Sequence, residues 1–261
     1  MANYLQFNDK GKFEPEERAL ANYFDSTSQH YKGFYKKHFI RNKFPITKDD
    51  FIAGDIDVML LAMKRLGISY SYDDYPSILR PYLHRKIWES TLGEVRERLF
   101  NDLGNEVELG LNWFIKPKDK LKRFTGFVCE TIDDLQYCNN AGNQTKIWCS
   151  EPVVFIDEFR CYFKKDTKPI IGCYKEDFDE KNRIKVQQFL DSIILGREFP
   201  EAFALDLGIL STGEVALIEM NDAFSLGLYK GCPEDFYAKC LIARWNELKR
   251  NILDFLIGNG A

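Results

Sequence analysis

The sequence predicts an α+β protein with two lobes, and three features of its residue pattern predict it. Amphipathic helical stretches dominate before Asn112, a series of short β-rich runs follows it, and a long amphipathic helix closes the chain. At 261 residues the chain can bury a sizeable core, either as one large domain or as two small lobes.

The elements are justified in chain order. The early stretch HYKGFYKKHFIRNKFP is aromatic and basic. It reads as a packed helix or irregular arm with solvated lysines rather than as an RNA-stacking surface. DIDVMLLAMKRLGI then places Ile56, Met59, Leu60, Met63 and Leu66 on one helical face, with Gly67 as the C-cap. Pro76 and Pro81 interrupt the pattern, after which RKIWESTLGEVRERLF predicts a second helix ending near Asn101 and Gly104. Beyond Asn112 the runs NWFIKP, FTGFVC, KIWCS, PVVFIDEFRCYF, PIIGCY, AFALDLGIL and EVALIEMN predict strands bounded by Gly, Pro, Asn and Asp turns. KNRIKVQQFLDSIIL predicts an intervening helix, and FYAKCLIARWNELKRNILDFLI the closing one.

Composition excludes several classes. With 21 Phe and 13 Tyr the chain is not disordered, and 36 Lys plus Arg against 40 Asp plus Glu leave a net charge of −4. No broad field favours nucleic acid or an anionic membrane, so any polyanion must be met locally. The seven cysteines form no CxxC pair and have no His at ligand spacing, which argues against a disulfide framework or zinc site. The N-terminus has no apolar signal region and no stretch reaches bilayer-spanning length. The expectation is a cytoplasmic protein without membrane or nucleic-acid partners.

Three polar sites stand in or at the ends of apolar strands, where a charge needs a partner or a task. Lys116 ends the run WFI, Asp206 lies inside FALDLGIL, and Glu219 with Asn221 lies inside VALIEMND. The spacing of Glu219 and Asn221 puts both on one strand face. AFALDLGILSTGEVALIEMN also reads as a hairpin turning at Ser211, Thr212 and Gly213. Asp206 lies five residues before Ser211 and Glu219 six after Gly213, so the two come nearly opposite. Oxygen ligands gathered this way suit a hard cation such as Mg²⁺.

FIKP, a Phe-Thr-Gly turn, a strand-borne EFR, DLG and IEMNDAFSLGLY follow one another in an order that resembles the ATP-grasp superfamily. Within it they resemble a little-characterised clade named for two arginines and a lysine. GDIDVMLLAMKRLGI, DYP at Asp74 to Pro76 and YLHRKIWESTL extend the resemblance, which covers roughly residues 50 to 230.

The resemblance implies an ATP-grasp fold, in which two α+β lobes clamp a nucleotide behind a short N-terminal region. Its expected boundaries are residues 1–85 for the N-terminal pre-ATP-grasp region, 86–150 for the small lobe and 151–261 for the large lobe with the metal ligands. It also implies that Lys116 contacts the ATP phosphates, with Arg85 or Lys86 as a second basic group. Ser150 and Glu151, beside Cys149, fall where adenine is read, and Glu158 where the ribose hydroxyls are held. Arg160, on the same strand face as Glu158, is either a phosphate or substrate contact or a structural ion pair. The metal ligands map to Asp206, Glu219 and Asn221, for Mg²⁺ with Mn²⁺ as an alternative. Asp222, Ser225 and Tyr229, in the loop beyond them, are candidates to line the substrate side, against a loop fixed by Asx and Ser turns. LKRFTG has a single glycine, so Lys120, Lys122 or Arg123 stands in for the backbone amides of a glycine-rich phosphate loop.

The function this implies is an ATP- and Mg-dependent carboxylate-amine or carboxylate-thiol ligase. It would act through an acyl phosphate and release ADP and phosphate, with small-molecule or peptide substrates. A non-ligase ATP-binding module and a small-molecule phosphotransferase are the alternatives. No protein nucleophile is required, so His30, His38 and His84 need no catalytic part.

Overall fold

The computed structural model describes residues 2–71, 73–102, 111–118, 123–193, 196 and 198–258, with side chains described outside 101–102 and 251–258. The chain divides into two compact units, one of residues 81–154 and one formed by residues 1–80 together with 155–261.

The second of these units begins with β1 (Asn3–Phe7), flanked in parallel by β2 (Tyr31–Tyr35) and β3 (Phe51–Ala53). This sheet departs from the sequence expectation, because HYKGFYKKHFIRNKFP supplies β2 and the short helix α2 (Lys36–Ile40) rather than one packed helix or irregular arm. The lysines of β2 and α2 stay at the surface while Phe34 and Phe39 point into the core. Helix α1 (Pro15–Ser26) opens with proline and carries Glu16 and Glu17 in its first turn. Helix α3 (Ile56–Leu66) ends where predicted. Gly67 has φ 70° and Ile68 N–H donates to the Met63 carbonyl at 2.9 Å, a left-handed cap that glycine accepts without cost. Its buried centre is Val58, Met59, Ala62 and Met63, so the apolar face is turned slightly from the predicted one and leaves Leu60 on its flank.

The same unit contains the antiparallel sheet β11-β10-β8-β9, made of β8 (Phe155–Lys164), β9 (Ile170–Cys173), β10 (Ala202–Leu210) and β11 (Val215–Asp222). Helix α5 (Glu180–Ser192) starts at Asp179, whose side chain accepts the Lys181 N–H. Helix α6 (Glu234–Gly258) packs against α1, and Ala19, Leu20, Phe24, Tyr237, Leu241 and Trp245 share one core with β1 and β3.

The unit of residues 81–154 is a four-stranded antiparallel sheet, β4-β7-β5-β6, with helix α4 (Leu92–Asp102) on one face. Its strands are β4 (Ile87–Thr91), β5 (Trp113–Pro117), β6 (Phe127–Cys129) and β7 (Lys146–Ser150). The helix predicted across RKIWESTLGEVRERLF therefore starts only at Leu92. Residues 87–91 pair instead with Lys146 to Ser150, which gives β-favouring Ile87, Trp88 and Thr91 a ladder. Leu92, Val95 and Leu99 project from α4 onto Ile115, Cys129, Ile147 and Cys149. Among the described residues no helix is long and apolar enough to cross a membrane.

Candidate functional site

Strand β10 lies between β8 and β11, and Asp206 at its middle pairs with Arg160 on one side and Glu219 on the other. Its neighbours Leu205 and Leu207 are fully buried on the opposite face, so strand alternation alone puts Asp206 on the polar one. The pairing of β10 with β11 shifts register between Asp206 and Leu207: Asp206 faces Glu219 while Leu207 faces Leu217. Ile218 is the extra residue of this β-bulge, and it accounts for the unequal count of five and six residues on either side of the turn. The bulge lets Leu217 meet Leu207 in the core while Glu219 and Asn221 meet Asp206 outside it.

The side chains then form one connected group. Arg160 donates from Nε to Oδ1 and from Nη2 to Oδ2 of Asp206, both at 2.7 Å. This is the two-point geometry that makes guanidinium–carboxylate pairs strong. Asn221 Nδ2 donates to Asp206 Oδ2 at 2.8 Å and to Glu219 Oε1 at 3.2 Å. Glu158 lies on the same face, opposite Gly208. Burial raises its affinity for a proton, and the negative charges of Asp206 and Glu219 act in the same direction against the pull of Lys175. Arg160 is shifted further in favour of its charged form, because the contact with Asp206 outweighs its burial.

The loop after β11 is held by a series of bonds. Tyr237 Oη donates to the Leu226 carbonyl and Tyr162 Oη to the Gly227 carbonyl, both at 2.7 Å. Leu228 N–H donates to Glu16 at 3.1 Å, and Tyr229 N–H to Tyr162 Oη at 3.0 Å. Tyr229 is thereby set with its ring 4.6 Å from the Arg160 guanidinium carbon. Ser225 is half-buried beside the Asp222 carbonyl. Asp222 points to the other side, 4% exposed, where Arg244 donates from Nε and Nη2 to its two oxygens at 2.8 and 2.7 Å.

In the unit of residues 81–154, Lys116 is half-buried on the sheet face opposite α4 and lies across from Trp148. Lys118 stands 4.7 Å from the Trp148 ring centroid and is ion-paired to Glu89. Gly126 leaves room beside Lys116, since a Cβ there would approach the lysine Cβ to 3.1 Å. Arg85 is half-buried and donates to the Leu83 carbonyl at 3.1 Å, whereas Lys86 is exposed. The Glu151 carboxylate accepts the Lys86 N–H at 3.0 Å, and Ser150 is buried at the end of β7. Lys120 and Lys122 lie outside the described residues.

The structure therefore brings Asp206, Glu219, Asn221 and Arg160 into contact, with Glu158 and Tyr229 alongside. Lys116, Arg85, Lys86, Ser150 and Glu151 belong to the other unit. Sequence reasoning does not single out Tyr162, Gly172, Glu16, Lys118 or Trp148. The first three act through partners far along the chain, while the alternation of Lys116 and Lys118 on one strand face was available as a signal.

Among the described residues no group of three or more His, Cys, Asp or Glu is disposed to hold a metal ion. Asp206 and Glu219 supply two carboxylates, and Asn221 would have to supply the third oxygen. This all-oxygen donor set suits a hard divalent cation and no soft one.

A lysine-bearing antiparallel sheet in one α+β unit, and an antiparallel sheet in the other with two carboxylates and a carboxamide on one face, make the plan of an ATP-grasp protein. The chain belongs to an ATP-grasp domain family, the second family of the clade named for two arginines and a lysine, which matches residues 82–239. No curated protein matches the chain. Among solved structures it is similar to N5-carboxyaminoimidazole synthase of Aspergillus clavatus in complex with ADP and 5-aminoimidazole ribonucleotide. That match has a TM-score of 0.52 at 9% identity and covers 92% of this chain and 76% of that one. A carboxyaminoimidazole ribonucleotide synthase from the same organism, complexed with ATP, gives 0.51 at 11% identity with the same coverage. The D-alanine-D-alanine ligase of Coxiella burnetii gives 0.50 at 10% identity and covers 99% of each chain. At these identities the likeness establishes the ATP-grasp fold.

Proposed function

We propose that this chain is an ATP-dependent ligase that joins a carboxylate to an amine or a thiol. The observation that carries the proposal is the convergence of Asp206, Glu219 and Asn221 on one sheet face inside an ATP-grasp fold. The named activities of the similar proteins, two carboxyaminoimidazole ribonucleotide synthases and a D-alanine-D-alanine ligase, support the ligase class.

In this proposal Asp206, Glu219 and Asn221 hold Mg²⁺ or Mn²⁺, with the Asn221 amide turned to present its oxygen. A cation held by these residues would supply positive charge to offset that on the transferring phosphoryl group. Lys116 donates to the phosphates. Of the two neighbouring cations we assign Arg85 as its partner, because the half-buried guanidinium is anchored at the Leu83 carbonyl while Lys86 stands in solvent. Ser150 and Glu151 border adenine, and Glu158 accepts the ribose hydroxyls.

A substrate carboxylate oxygen attacks the γ-phosphorus as the bond to ADP breaks, giving an acyl phosphate. The amine or thiol then attacks the acyl carbon, phosphate leaves with the C–O bonding pair, and the nucleophile's proton passes to solvent. No protein nucleophile takes part. Asp222, with both oxygens on Arg244, is assigned to holding α6, and Ser225 and Tyr229 remain for the substrate side.

Incubation with Mg·ATP and pools of amino acids and peptides tests this: ADP, phosphate and a new amide or thioester are expected together. ADP with a phosphorylated product would make the chain a phosphotransferase instead. Glu219→Ala and Asn221→Ala should each lower turnover at least about a hundredfold at unchanged fold, the size typical of losing a group that stabilises transition-state charge. Turnover surviving in both variants would overturn the metal assignment.

A further inference from the structure

Every group assigned to the cation is engaged by protein donors. Arg160 takes both oxygens of Asp206, and Asn221 turns its NH₂, not its carbonyl, to Asp206 and Glu219. The charge of Asp206 is thus balanced by the chain's own cation, Arg160, while Glu219 meets only the neutral amide of Asn221 among these contacts.

Arg160 also has a second berth. The Tyr229 ring centroid lies 4.6 Å from its guanidinium carbon, and the Tyr229 main chain is held by its N–H bond to Tyr162 Oη. Gly172, paired with Arg160 across β8 and β9, makes room for this contact: a Cβ there would lie 3.2 Å from the Tyr229 Cβ and 3.0 Å from the Tyr162 ring. The edge of the guanidinium is held by Asp206 and its face by Tyr229.

We propose that Arg160 is an exchangeable counterion. Without a divalent cation it clamps Asp206; when cation and nucleotide arrive together it releases Asp206, stays on Tyr229, and turns its freed Nε and Nη2 donors to phosphate oxygens. The chain consequently resists the cation alone and takes it with the nucleotide. Tyr229 is a positioning residue for Arg160. The inference rests on the metal assignment proposed above and adds the device that governs loading.

The test is binding of Mn²⁺ to the full chain, read from the electron paramagnetic resonance of free Mn²⁺, together with the affinity for β,γ-imido ATP at saturating Mn²⁺. Arg160→Gln should bind Mn²⁺ alone about tenfold or more tightly than the wild type, since a positive charge in contact with a ligand carboxylate has been removed. It should bind the nucleotide analogue about tenfold more weakly, having lost charge-assisted donors. Tyr229→Leu should leave Mn²⁺ binding unchanged and weaken only the analogue, whereas Tyr229→Phe should match the wild type in both. Should Arg160→Gln fail to fold, Arg160→Lys, which loses the two-point contact, carries the same pair of shifts at smaller size. Unchanged or weaker Mn²⁺ binding in the Arg160 variant, with Asp206→Asn still abolishing it, overturns the exchange and leaves the metal site standing. Wild-type Mn²⁺ binding in Asp206→Asn overturns the metal assignment and the exchange with it.

Discussion

Arg244 and Glu17 show how differently this chain treats two poorly solvated charges. Arg244 is 6% exposed, but its donors are matched by Asp222 and by Glu247 at 2.7 Å, so the loss of water is offset by paired hydrogen bonds. Glu17, half-buried in the first turn of α1, has no such match. Burial first, and then the nearby negative charges of Glu16, Asp55 and Glu14, push its carboxyl up to about 7 against a backbone hydrogen bond that favours ionisation. The sign of the pH effect follows. Between about 4.5 and 7 the folded chain holds a proton that the unfolded chain has released, so Glu17 favours folding below that window and its contribution is lost as pH rises through it. Up to about 3 kcal/mol separates the two ends of the window. Glu17→Gln should therefore be more stable than the wild type at pH 8 and close to it at pH 4.5, as read from urea midpoints at the two values. A stability difference independent of pH would show that Glu17 ionises normally.

At the scale of elements, the site depends on the hairpin of β10 and β11. Gly213, with φ 85°, donates to the Leu210 carbonyl at 2.8 Å and accepts from Lys185 at 3.1 Å through its own carbonyl. A side chain in that left-handed conformation costs about 1–2 kcal/mol, so Gly213→Ala should lower the unfolding free energy by that amount in a denaturant titration. An unchanged midpoint would mean that the turn relaxes without strain. This hairpin was legible because its turn and its alternation are local: Ser211, Thr212 and Gly213 stand between two apolar runs, and counting from them brings Asp206 nearly opposite Glu219. The bulge at Ile218 was not legible, since only the packing of Leu217 against Leu207 requires it. Nor was β4. Trp88, Leu92, Val95 and Leu99 are spaced as on one helix, while the partner that makes residues 87–91 a strand begins at Lys146. The parallel trio at the N-terminus was hidden for the same reason, each short strand finding its neighbour across a helix. At the site, the strand face of Arg160 was readable, but its register against Asp206, 46 residues away, was not.

At the scale of the whole molecule, the grouping of the described apolar side chains into distinct clusters sets what a mutation reaches, and two of these clusters show it. One lies inside residues 81–154, around Leu92, Ile115 and Cys149. The other joins the first eighty residues to the last hundred or so, because β1, β3, α1 and α6 contribute to the same cluster. Trp245 is central to the second. It is 1% exposed, and its indole N–H donates at 2.9 Å to the Asp50 carbonyl, just before β3. Asp50 in turn accepts the Ala2 N–H at 2.7 Å and the Thr47 hydroxyl at 2.8 Å, so one indole ties α6 to the start of β1 and to β3. Truncating a buried tryptophan costs about 3–5 kcal/mol, and the loss falls on one core only. Trp245→Ala should therefore reduce amide protection in β1, β3 and α6 by about a hundredfold or more in native-state hydrogen exchange, while β4, β5 and β7 keep theirs. Equal loss of protection in both sets of strands would show that the cores unfold as one cooperative unit, and that the closing helix stabilises the lysine-bearing sheet as well as the N-terminal one.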